Sequence, residues 1–196
     1  MQQRDILFGI WERLYPGVPA NDLEQFLSAG ENSQAVLHKG EIQADWYKDA
    51  VVYSLYADLF NNDFAGLTQK LDYLHELGIN CIWLLPVLDS PMRDAGFDIS
   101  NYYQIRADLL DKSGKSADQQ VFLQFLAEAH KKGIRVIFDI SMNHTSDEHP
   151  WFVEASKSKD NPYRNYYIWS KDTDLYKDAR IIFKGIESSN WEKKGD

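Results

Sequence analysis

The sequence holds a single cysteine, Cys81, in 196 residues. No intrachain disulfide can form, which fits a reducing compartment. Long apolar runs are also missing. Nothing approaches the ~18 consecutive apolar residues of a membrane helix. The N-terminus, MQQRDILFGIWERLYPG, has no apolar segment ahead of a small-residue cleavage site. A soluble cytoplasmic protein with no membrane partner is the expectation. Clustered positive charge is absent as well. The formal net charge is −9, which works against a phosphate backbone, so no nucleic-acid partner is expected. No Cys/His spacing suggests zinc, and no glycine-rich loop follows a strand to cradle a nucleotide. No organic cofactor is expected. Repeats and low-complexity tracts are absent too.

What is present suits one ordinary domain. The hydrophobic fraction of 44% can build a packed core. Aromatic residues reach 14%; their faces suit sugars, but a single ring more often packs in a core. Residues 1–44 read as a separate helical extension and linker. Ile6, Leu7, Ile10, Trp11 and Leu14 share one helical face, which Pro16 and Gly17 interrupt. Asn21 is the expected cap of a second helix, with Glu24 three residues on and Gly30 its stop. Residues 31–45 are polar and read as a linker.

Alternating signals follow. Residues 50–55 (AVVYSL), 81–85 (CIWLL) and 134–140 (IRVIFDI) are short β-branched or aromatic runs, expected as strands buried on both faces. Between the first two, Leu67, Leu71, Leu74 and Leu77 predict one helix, stopped by Gly78. Between the last two, Ser116 and Gln119 form a capping-box pattern. Val121, Phe122, Phe125, Leu126 and Ala129 supply the inner face of the helix that follows, and Gly133 ends it. The order strand–helix–strand–helix–strand indicates parallel α/β architecture, either a doubly wound sheet or a barrel. Residues 87–115 read as a long connection and residues 145–196 as a loop-rich insertion.

Polar residues gather where the predicted strands end, the edge that carries sites in parallel α/β folds. Asp139 is expected inside the third strand, with Asn143 and His144 just past it. A second group is Asp94, Phe97 and Asp98, with Tyr102 and Tyr103 nearby. Carboxylates accept from sugar hydroxyls while a ring stacks on the C–H face of a sugar; the plainer reading is a solvated surface loop. His75 and His130 fall within helices as surface residues, and His149, ahead of Pro150, suits a cap. Asp160, Asp172, Asp174 and Asp178 lack the spacing of a calcium loop.

Taken together these residues resemble glycoside hydrolase family thirteen, the α-amylase superfamily. Residues 138–144 (FDISMNH) resemble its D-x-x-x-N-H signature, 46–53 (WYKDAVVY) its first barrel strand and 78–86 (GINCIWLLP) its second. Residues 94–102 (DAGFDISNY) resemble the D-x-G-Y-D-x-x-x-Y segment after that strand. The motifs occur in the family's order over residues 45–196. Residues 143–152 (NHTSDEHPWF) are similar to the trehalose synthase group and to related α-glucosidases. Residues 178–183 (DARIIF) and 187–191 (ESSNW) lie nearer the trehalose synthase group.

The resemblance implies the first three strands of a (β/α)8 TIM barrel, over residues 45–144, and the start of the family's domain B insertion, over 145–196. It implies an α-linked glucose di- or oligosaccharide as substrate, handled by a retaining mechanism. Asp94 and His144 would hydrogen-bond the glucose ring and Phe97 would stack on it, with Phe where the family usually has Tyr. Asp139 and Asp98 would orient the site, and Asn143 would ligate calcium where that site is kept. The family's nucleophile and acid/base follow its fourth and fifth strands, so neither is expected within residues 1–196. A non-catalytic sugar- or partner-binding remnant of the same fold is the alternative.

Overall fold

The computed structural model describes residues 3–16, 19–32, 45–114, 118–179, 181, 185 and 189–194. The chain divides into two compact units, residues 1–48 and 49–196.

The first unit holds two helices, α1 (Gln3–Leu14) and α2 (Ala20–Asn32). They are tied by an exposed ion pair, Arg4 to Glu24 at 3.3 Å. The apolar row of α1 forms as the spacing predicts, yet Ile6, Leu7, Ile10 and Leu14 are exposed. Two expectations for α2 are corrected. It starts at Ala20, so Asn21 lies inside the first turn rather than at the cap. Pro19 precedes that turn, where a missing N–H costs nothing. It also runs past Gly30 to Asn32; one interior glycine costs only about 1 kcal/mol. Gly17 and residues 33–44 of the expected linker lie outside the described residues.

The second unit is built on three parallel strands, β1 (Val52–Leu55), β2 (Cys81–Leu84) and β5 (Arg135–Phe138), in the order β1-β2-β5. Val52 pairs with Cys81 and Cys81 with Arg135, so the strands are in step. Side chains alternate between faces. Leu55, Ile82 and Leu84 face a core with Tyr53 and Val136 packed against it. On the other face Val52, Trp83 and Ile137 are 46%, 42% and 43% exposed. The expectation of burial on both faces is therefore corrected at these three positions, although Cys81 on the same face is fully buried.

Helices α3 (Ala57–Asn61), α4 (Phe64–Gln69) and α5 (Leu71–Glu76) join β1 to β2. The single helix expected over the leucine row is split at Lys70, whose φ of −98° and ψ of 0° leave the helical range. The Thr68 hydroxyl donates to the Phe64 carbonyl at 2.7 Å, a back-bond that bends helices. Leu67, Leu71 and Leu74 are fully buried, whereas Leu77 lies at the C-cap and is exposed.

The long connection after β2 has structure of its own. Strands β3 (Leu88–Asp89) and β4 (Asn101–Ile105) pair antiparallel, and α6 (Ala107–Leu110) follows. Helix α7 (Gln120–Lys131) carries the expected inner face: Phe64 of α4 packs against Phe122 at 4.8 Å and Phe125 at 5.3 Å. Gly133 follows it with φ +71°, as its stop requires. Its capping box is corrected. Gln119 occupies the N-cap position without a side-chain bond, and Asp118 accepts from the Gln120 amide at 2.9 Å instead. Ser116 lies outside the described residues.

Beyond β5 the chain is mostly irregular, with α8 (Pro150–Ala155) and a short 3₁₀ turn at Arg164–Tyr166. His149 caps α8: its Nδ1 accepts from the Trp151 amide at 3.2 Å. Burial lowers the pKa of this imidazole. Among the described residues no helix is long and apolar enough to cross a membrane.

Candidate functional site

The ends of β1, β2 and β5 aim at one edge, and the loops leaving β2 and β5 meet above it. Asp139 corrects its expected place, because β5 ends at Phe138 and Asp139 sits one residue past it. Its amide donates to the Leu84 carbonyl at 2.9 Å, which fixes the carboxylate's root at the strand edge.

The loop after β2 reaches the same edge through an unusual backbone. The Phe97 amide donates to the Asp94 carbonyl at 2.8 Å, closing a tight turn. Ala95 at φ +51° and Gly96 at φ +90° are its two central residues, the pattern of a type I′ turn. A Cβ at Gly96 would lie 2.8 Å from the Pro86 Cβ, so the glycine of the motif is needed for space as well as for φ. Met92 is also left-handed, at φ +61°. Such non-glycine positions cost about 1–3 kcal/mol each and persist only where their surroundings hold them.

Asp98 supplies much of that hold. Its carboxylate accepts from the Ser90 hydroxyl at 2.7 Å and from the Arg93 amide at 2.9 Å. Burial alone would raise its pKa, but the Ser90 bond and the amides of Arg93, Asp94 and Asp98 outweigh it and hold the carboxyl below its ordinary value. Asp98 thus orients the loop from within. Arg106, only 4% exposed, braces the base of the loop. It pairs with Asp108 at 2.7 Å and Asp58 at 3.1 Å, and its guanidinium donates to the Met92 sulfur at 2.9 Å.

His144 joins the two loops. A carbonyl can only accept, so the contact of His144 Nε2 with the Phe97 carbonyl at 3.1 Å requires the ring proton on Nε2. Asn143 Nδ2 donates to the other nitrogen, Nδ1, at 2.7 Å, consistent with the same tautomer. The Tyr102 hydroxyl donates toward the carbonyls of Ser141 at 2.7 Å and His144 at 3.0 Å. The Ser146 amide donates to the Ile99 carbonyl at 2.9 Å. Phe97 and His144 are therefore brought together, with Asp94 at the other end of the Phe97 turn. Tyr103 stays out, almost fully exposed.

Tyr56, just past β1, belongs to this group although the sequence reading did not single it out. Its hydroxyl donates to the Ala95 carbonyl at 3.2 Å. Burial, then the carboxylates of Asp58, Asp139 and Asp94, raise its pKa, with Arg106 opposing. The tyrosine thus registers Asp94 and Asp139 in one electrostatic neighbourhood. Its place directly after a strand was the signal that would have found it.

Asn143 would meet calcium through its amide oxygen. Among the described residues no group of three His, Cys, Asp or Glu side chains is placed to hold a metal ion. Calcium needs six to eight oxygens, so a site here would need several donors besides Asn143.

The gathering of these side chains beyond the C-terminal ends of parallel strands defines the working edge of a β/α barrel. The chain belongs to the α-amylase family, matching its catalytic domain over residues 28–194. That match begins within α2, ahead of residue 45, where the motif resemblance starts. A trehalose synthase/amylase of Mycolicibacterium smegmatis is 45% identical over 154 residues, covering 75% of this chain and 25% of the relative. An oligo-1,6-glucosidase of Parageobacillus thermoglucosidasius is 46% identical over 154 residues, covering 75% and 24%. The crystal structure of Bacillus licheniformis trehalose-6-phosphate hydrolase superposes with a TM-score of 0.55 at 43% identity, covering 64% of this chain and 22% of that one. The chain thus spans about a quarter of the length of these curated relatives. The three parallel strands are the opening units of the family's (β/α)8 barrel.

Proposed function

We propose that this chain forms the sugar-gripping edge of an α-glucoside-active enzyme, of the type that isomerises maltose to trehalose by a retaining mechanism. The observation that carries this reading is the meeting of His144 with the Phe97 turn, at the strand edge shared with Asp139. The similarity to a trehalose synthase/amylase and to an oligo-1,6-glucosidase supports an α-linked glucose substrate.

In this reading Phe97 stacks on the C–H face of the glucose, and Asp94 accepts from its hydroxyls. His144, with its two ring nitrogens engaged by Phe97 and Asn143, holds the Phe97 turn against the β5 side of the sugar site. A retaining mechanism needs a nucleophilic carboxylate and a proton donor about 5–5.5 Å apart across the scissile bond. Asp98 is unsuited to either part, being committed to Ser90 and to backbone amides. Asp94 and Asp139 take binding and orienting parts. Residues 145–196 are the opening of domain B, and residues 1–196 by themselves bind sugar without turning it over. Calcium enters no step.

The test is to titrate the purified chain with maltose by calorimetry, and to incubate it with maltose and with a nitrophenyl α-glucoside. Binding weakened by Asp94→Asn, with no trehalose, glucose or nitrophenol released, is the expected result. Turnover that survives purification and vanishes in Asp94→Ala would overturn the assignment of roles.

A further inference from the structure

The two loops that bring Phe97 to His144 are also joined by charge. The Arg93 guanidinium contacts Asp147 and lies 3.1 Å from Glu148. Asp147 in turn accepts from Lys194 at 3.2 Å. The result is an alternating row, Glu148–Arg93–Asp147–Lys194, across three separate stretches of chain. We propose that this row is an electrostatic latch that sets the position of the Phe97 turn against His144, with Arg93 as its central positioning residue. The inference rests on the sugar-site reading only for its consequence in binding; the latch itself is a matter of geometry.

Three observations carry it. Arg93 is gripped at both ends: its backbone amide is held by Asp98, and its side chain by Asp147 and Glu148. Whatever moves the guanidinium therefore moves the loop that Asp98 organises. Next, the loop contains two left-handed non-glycine residues, Met92 and Ala95, which flank Arg93 closely. A backbone of this kind relaxes unless outside contacts hold it. Finally, Asp147 lies three residues after His144 in the loop leaving β5, so the latch and the His144–Phe97 contact bridge the same two loops. Isolated exposed pairs are weak, but an alternating network of four charges escapes the entropy cost of holding each pair alone. Lys194 and Arg93 hold the Asp147 carboxyl below its ordinary pKa against the opposing effect of burial.

The experiment uses the 196-residue chain with labelled histidine. The ring nitrogens of His144 are read by NMR in the parent, Arg93→Ala, Arg93→Lys, Asp147→Asn and the charge exchange Arg93→Glu/Asp147→Arg. Arg93 is more than half exposed, so these variants keep the thermal midpoint within a few degrees, which circular dichroism checks. Arg93→Ala and Asp147→Asn should shift the His144 nitrogens toward the average of its two tautomers. Arg93→Lys and the charge exchange should recover at least half of that shift. Sodium chloride at about 0.5 M should move the parent the same way and leave Arg93→Ala in place, since screening acts on exposed charges. Maltose affinity should fall in Arg93→Ala by roughly two- to fivefold, the size of an exposed ionic contact. His144 signals unmoved in both Arg93→Ala and Asp147→Asn, or salt shifts equal in parent and Arg93→Ala, would overturn the latch. If maltose fails to bind the parent, the sugar reading falls, and the ring nitrogens still decide the latch.

Discussion

Trp83 and Leu84 are neighbours on β2, yet they live in different environments. Leu84 is fully buried under the helices, whereas Trp83 is 42% exposed on the opposite face. The same contrast runs across the sheet. On the helix side Leu55, Ile82 and Leu84 meet Phe64, Leu67, Leu71 and Phe125. On the other side Val52, Trp83 and Ile137 are 46%, 42% and 43% exposed, while Cys81 is fully buried. One face therefore holds the unit together, and the other is the face a barrel would enclose. Between them, at the strand ends, lies a layer held by hydrogen bonds and charge rather than apolar burial.

The largest effect should come from the covered face. Leu84→Ala removes a fully buried side chain and leaves a cavity between β2 and the helices. It should lower the stability of the second unit by about 2–5 kcal/mol. The change is read from the midpoint of chemical denaturation at constant slope. A loss below ~1 kcal/mol would mean that this face is not the core.

The strand-end layer should respond less in stability and more in geometry. Gly96→Ala places a Cβ 2.8 Å from Pro86 at a φ of +90°. A cost of roughly 1–3 kcal/mol is expected from the strained backbone, together with loss of the Phe97 carbonyl contact in the His144 ring signals. Phe97→Ala leaves the fold intact and should weaken maltose binding by about tenfold, whereas Phe97→Tyr keeps the stacking face and binds within about twofold of the parent. Equal affinities for all three chains would remove Phe97 from the sugar site.

This contrast also marks what the sequence made legible. The three strands, their order and the α7 face were readable because buried apolar runs and a 3.6-residue period are strong local signals. The α-amylase motifs singled out Asp94, Phe97, Asp139, Asn143 and His144, which lie in the loops that follow β2 and β5. Other features depended on contacts between distant residues. The hairpin of β3 and β4 was hidden because β3 has two residues and the Asn101–Ile105 run is partly polar. The break at Lys70 turns on a side-chain back-bond within an unbroken leucine period. Arg93 reaches a partner 54 residues away, and Arg106 one 48 residues away. Burial on both strand faces was inferred from composition alone, which reports that a residue is apolar without saying what covers it.

Acid should loosen the strand-end layer without first touching the core. Asp98 has its pKa lowered by Ser90 and nearby amides against the effect of burial. Its contribution is fully present above the unfolded carboxyl value of about 3.9. That contribution is lost as pH falls through the lower folded value, because the folded form then takes up a proton as the unfolded form already has. The Phe97 and Ser90 amide signals should therefore shift in this acidic window while the aromatic signals of Phe64 and Phe125 stay native. In Asp98→Asn the part of that shift due to Asp98 should disappear, leaving the smaller part that comes from Asp147, whose carboxyl is also held below its ordinary value. Simultaneous change of loop and core signals in the parent would erase the distinction between the two layers.

The smallest effect is expected where the contrast is sharpest, at Trp83. Its side chain is large, and on a covered face its removal would cost about 3–5 kcal/mol. Exposure at 42% means that part of its area never leaves water in this chain, so its removal forfeits less burial than removal of Leu84. Trp83→Ala should then cost about 1 kcal/mol or less in the 196-residue chain, well under Leu84→Ala one residue away. The pairing of β2 with β1 and β5 is a backbone matter and should persist, so parallel-strand amide signals from Cys81 to Leu84 should stay protected from exchange. The same substitution in a chain carrying all eight barrel strands should cost several times more, because the ring would then be enclosed. Equal costs in the two chains would show that the open face is already covered, and would remove the distinction between the faces on which the comparison rests.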